Sequence, residues 1–170
     1  SDDNYNDSVT SEEDVVNYFE KKYDEVNNNS WNDVKDKAKE YFIDIVDFIF
    51  YDKEIKGYTF SELSDNTKIK VIALALKIDS KIEEYIPGYK KSISSKGNKI
   101  YTDVKDRLVS SYLDLSVKIC SNNEEGCNKA KDIFSDIKDN CKIGWSFIKK
   151  LASDGGNKLK DWYEIYSGKR

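Results

Sequence analysis

The spacing of the apolar residues constrains this chain more than any other feature: they recur at steps of three and four along most of its length. That is the period of a helix with one buried face. Val15, Val16, Phe19, Tyr23 and Val26 make one such run, and Ala38, Tyr41, Phe42, Ile45, Phe48 and Ile49 make the next. A third runs from Ile69 to Ile86 and a fourth from Tyr101 to Ile119. The fifth steps through Ala130, Phe134, Ile137, Cys141, Trp145, Ile148 and Ala152, and Leu159, Trp162, Tyr163 and Tyr166 suggest a short terminal helix that folds back. No stretch keeps the period-two alternation of a half-buried strand. The spacing predicts an all-α fold, a single-domain bundle of five to six helices.

Local signals set the expected boundaries. Thr10 with Glu13 has the form of a capping box, and Asp65 stands where it caps the third helix. Gly57 suits a left-handed residue closing the second helix, and Pro87-Gly88, containing the only proline, ends the third. Residues 1–9 are expected to form a flexible acidic tail, with residues 10–170 as one helical domain. No internal repeat and no linker rich in Pro, Gly or Ser divides the chain further.

Three of the expected helices, those around Ile45, Leu74 and Leu113, are apolar on more than one face. A helix in a simple bundle needs a single stripe, so wider burial means that it is surrounded or that it lines a cavity. Lys68 to Lys77 (KIKVIALALK) reads as a largely buried central helix.

Composition limits the chemistry. With no histidine, the chain lacks the commonest general base and the commonest metal ligand. No glycine-rich phosphate loop occurs, and no acidic stretch has calcium-loop spacing. A net charge of −4 gives no footprint for nucleic acid. The basic run from Lys90 to Lys99 lies in a Ser/Gly-rich stretch and reads as a solvated connection. Asp44 and Asp47 are the best placed pair for carboxylate chemistry, yet they read more simply as the solvated edge of an apolar helix. No apolar run is long enough to span a bilayer. The expectation is a non-enzyme without cofactor or bound metal.

Of the three cysteines, Cys120 and Cys127 flank a short polar loop and can meet across a helical hairpin. Cys141 lies about 21 Å further along a continuous helix, out of reach of Cys127, and reads as a buried thiol. A disulfide clip implies an oxidising compartment, so a secreted, monomeric protein is expected.

Two binding functions follow. One is a carrier of a hydrophobic small molecule, a fatty acid or other lipid, held in the helical core. Its walls are expected at Phe42, Val46, Phe50, Ile72, Leu76, Leu113 and Val117. The other is a protein-interaction module. Twelve tyrosines and three tryptophans exceed what such a core requires, and both residue types anchor protein interfaces. Tyr85, Tyr89, Trp162, Tyr163 and Tyr166, near helix ends or the C-terminus, are the expected contact residues.

Overall fold

The structure is a computed structural model that describes residues 10–28, 31–93, 97–153 and 157–167. The expected tail at 1–9 and Lys96 of the basic run lie outside the described residues. Among the described residues seven α-helices follow in order: α1 (Glu12–Asn28), α2 (Trp31–Phe50), α3 (Asp65–Tyr85), α4 (Val104–Cys120), α5 (Glu124–Asn140), α6 (Trp145–Ala152) and α7 (Lys158–Tyr166). Short 3₁₀ turns at Phe60–Glu62 and Tyr89–Ser92 frame α3. No strand occurs among the described residues; Ile55 and Tyr58 form an isolated antiparallel bridge. The all-α bundle is as the spacing predicts, with more helices than the five to six expected.

The extra helix comes from a break in the fifth apolar run. Residue Lys142 takes a left-handed backbone (φ 53°), and Gly144 caps a new helix beginning at Trp145. The turn tucks Cys141 and Ile143 into the core and sends the chain off at a new angle. Had the helix continued, Trp145 would have sat on the buried face.

The helix ends obey local chemistry one residue away from where the sequence suggested it. Asp14 accepts a hydrogen bond from the Ser11 backbone N–H at 2.8 Å, so Ser11 and Asp14 make one of the two bonds of the capping box expected of Thr10 and Glu13. Ser64, not Asp65, caps α3 by accepting from the Thr67 N–H. Gly57 is left-handed (φ 82°) but closes the tight Ile55–Tyr58 turn, well beyond the end of α2.

Helix α3 is the centre of the fold and packs against α1, α2, α4 and α5. The consecutive residues from Val71 to Leu76 are all buried, and together they point to every side of the helix. Several kcal/mol of burial per turn on all faces, at about 25 cal/mol per Å² of apolar surface, make it the element the others assemble around.

Tyrosines bolt these helices together. The Tyr112 hydroxyl donates to the Ala130 carbonyl at 2.6 Å, joining α4 to α5. Tyr18 on α1 donates to Asp44 on α2 at 2.8 Å, and Tyr41 on α2 donates back to Glu25 on α1. Tyr101 donates to Asp47 at 3.1 Å. Buried phenols need a partner, so much of the tyrosine surplus is structural. Asp44 and Asp47 are accordingly not a solvated edge. Lys53 and Lys22 attend Asp44, and Lys99 reaches Asp47 at 3.2 Å.

The sulfurs of Cys120 and Cys127 are at bonding distance, with their Cα atoms 4.6 Å apart. The clip ties the last residue of α4 to the first turn of α5, which begins at Glu124, inside the loop read from the sequence. Gly126 permits this approach: a Cβ there would lie 3.0 Å from both the Asn66 side chain and the Ile119 methyl. Cys141 is free and buried, and burial pushes its thiol up to about 11. No described helix is long and apolar enough to cross a membrane.

Candidate functional site

The residues expected to wall a core cavity are brought together, but as packed interior. Phe42, Val46, Ile72, Leu76 and Leu113 are buried in one continuous core, with Phe50 and Val117 half-buried against it. The Phe42 ring packs edge-on against Tyr89 at 5.3 Å, and the Arg107 guanidinium covers the Phe50 ring at 4.0 Å. Leu76 reaches the edge of a groove described below; the other six line none of the grooves described here.

The aromatic residues expected at an interface divide. Tyr85 (40% exposed) and Tyr163 (42% exposed) face outward, and Tyr166 is half-buried. Tyr89 and Trp162 are interior instead. The Tyr89 hydroxyl donates to the buried Asp79 at 2.6 Å, and the Trp162 indole N–H donates to Asp114 at 3.3 Å. Both polar tips are held by carboxylates on neighbouring helices, which lets the rings fill the interior.

A polar groove of about 500 Å³ opens beside the C-terminal half of α3, lined by Leu76, Asp79, Glu83, Lys90, Lys105 and Cys141 among others. Its charges are partly satisfied within it, while the second carboxyl oxygen of Glu83 is buried with no hydrogen-bond partner among the described residues. Lys90 binds Asp79 at 2.9 Å, and one oxygen of Glu83 accepts the Gly88 N–H at 2.6 Å. Lys90 is therefore a pinned structural cation, unlike the solvated residue the basic run suggested.

The more distinctive site lies at the C-terminal end. A cleft of about 420 Å³ opens between α5, α6 and α7. Phe134 and Tyr166 form its inner wall, with ring centroids 4.3 Å apart and planes at 44°. Trp145 and Tyr163 form the outer wall, at 5.4 Å and 59°. Ile143, Ile148 and Ile165 make the floor, and Lys131 and Lys138 stand along the α5 side. Trp145 is 37% exposed and Tyr163 42% exposed, and because their rings lie against each other they form one exposed aromatic patch. The Tyr166 hydroxyl shares a hydrogen bond with Ser116. Burial raises its pKa, against the lowering effect of that bond, and it remains a neutral phenol at physiological pH.

Each part of the cleft has a local cause. The left-handed turn at Lys142 swings α6 off the axis of α5, carrying Trp145 outward while Ile143 drops into the floor. Helix α7 packs on α4 and is anchored by buried Trp162 and Ile165, which leaves Tyr163 on the open side. On α5, Lys131, Phe134, Ser135 and Lys138 follow at three- and four-residue steps and so share one face. Sequence reading found Tyr163 and Tyr166 but missed Trp145, Ile143, Lys131 and Lys138. The signal was present in Asn140 and Gly144, two helix stops overlooked because the apolar spacing runs unbroken across them.

Among the described residues, no group of three or more His, Cys, Asp or Glu is placed to hold a metal ion. Chemically, the cleft can offer ring stacking and apolar contact. Comparison with known proteins finds no match for this chain among family models, curated proteins or solved structures.

Proposed function

We propose that this chain is a non-enzymatic binding protein, secreted and monomeric, which holds a hydrophobic small molecule in the cleft between α5, α6 and α7. The observation that carries this reading is the contrast between a filled interior and two large aromatic rings left at the surface around a cleft of about 420 Å³. That volume falls within the range of small-molecule sites, which run from roughly 300 to 1,000 Å³. The core residues first expected as walls support the site by fixing α4 and α5, the platform on which α6 and α7 sit. The Cys120–Cys127 clip supports an oxidising, extracellular setting.

The reading is tested by titrating the protein with an apolar aromatic probe and following tryptophan emission. Of the three tryptophans, Trp145 lines the cleft. Saturable quenching that disappears in Trp145→Phe supports the proposal. Quenching that persists in that variant places the probe elsewhere and defeats it.

A second reading has its own support. Trp145 and Tyr163 stand on the outer rim, where a partner protein's side chain is able to reach them, and aromatic rims of this kind are common at interfaces. A partner captured from extracellular fluid by the wild type, and lost with Trp145→Ala and Tyr163→Ala, would favour it over the small molecule.

A further inference from the structure

We draw no further inference here: the strongest candidate, the polar groove beside the C-terminal half of α3, carries nothing, because its carboxylates Asp79 and Glu83 already accept from Lys90 and the Gly88 N–H, and the one oxygen of Glu83 without a partner among the described residues is buried out of a ligand's reach.

Discussion

The middle of α3 and the short helix α6 are both strongly apolar, yet they end up in opposite settings. In α3, Val71 through Leu76 is enclosed on all sides by α1, α2, α4 and α5. In α6, Ile148 and Ala152 are buried, whereas Trp145 at its first position is left at the surface beside Tyr163. The two differ in placement, not in composition. One is a long rod with neighbours all round; the other begins just after a left-handed turn at the edge of the bundle. Apolar density therefore marks a core only where enough elements surround it, and at an edge it leaves apolar rings exposed.

Substitutions in the two regions should separate stability from binding. The largest effect is expected at Phe42, buried against Tyr89 and Tyr101: Phe42→Ala should cost about 3–5 kcal/mol in urea unfolding. Trp145→Ala, by contrast, should cost less than about 1 kcal/mol while removing probe binding. Comparable stability losses at the two sites would erase the distinction between interior and cleft.

The next effect probes charge held in the interior. Asp79 is only 3% exposed and takes hydrogen bonds from Tyr89 and Lys90. Lys90→Met leaves that carboxylate without its counter-charge and should destabilise by about 3 kcal/mol, read from the same denaturant curves.

Removing the clip between α4 and α5 should be felt in both regions. Cys120→Ser/Cys127→Ser opens a loop with a sequence separation of 7, and chain-entropy arguments put the loss at about 2–3 kcal/mol. Thiol titration of the unfolded, unreduced wild type should then find a single reactive group, Cys141. A count of three would refute the clip.

The smallest effect concerns Asp44. Burial works against its charge, but hydrogen bonds from Lys53 and Tyr18 and the nearby charges of Lys53 and Lys22 prevail, so its pKa lies below the ordinary value. With the folded pKa lowered, its stabilisation is fully present above the unfolded pKa, near 3.9, and is lost as pH falls through the folded value. Asp44→Asn should be less stable than wild type at neutral pH, with the gap closing as the solution is acidified below about pH 4. A gap that widens on acidification would reverse the sign.

The sequence made some of this legible. Three- and four-residue spacing found the helical stretches but ran α5 and α6 together as one, and the KIKVIALALK segment identified the central helix because no single stripe accounts for its apolar residues. The Cys120–Cys127 pair could be read from spacing alone. The cleft was only half visible, since Tyr163 and Tyr166 are ordinary members of a terminal apolar pattern. Trp145 was hidden by a coincidence: the four- and three-residue steps continue across Cys141 to Ile148 even though the backbone turns at Lys142. Periodicity describes side chains and is blind to one left-handed residue. The tyrosine surplus misled for a related reason, because residue counts cannot say whether a phenol meets a partner protein or a carboxylate on the next helix.

The most direct measurement is a ¹H–¹⁵N chemical-shift map of the protein titrated with an apolar aromatic probe. Shifts should concentrate on the Trp145 indole and on backbone amides of Phe134, Ile143 and Tyr163, while the amides of Ile72, Leu76 and Leu113 stay still. Strong shifts at Ile72, Leu76 and Leu113 with a silent Trp145 would put the ligand inside the bundle and contradict the account.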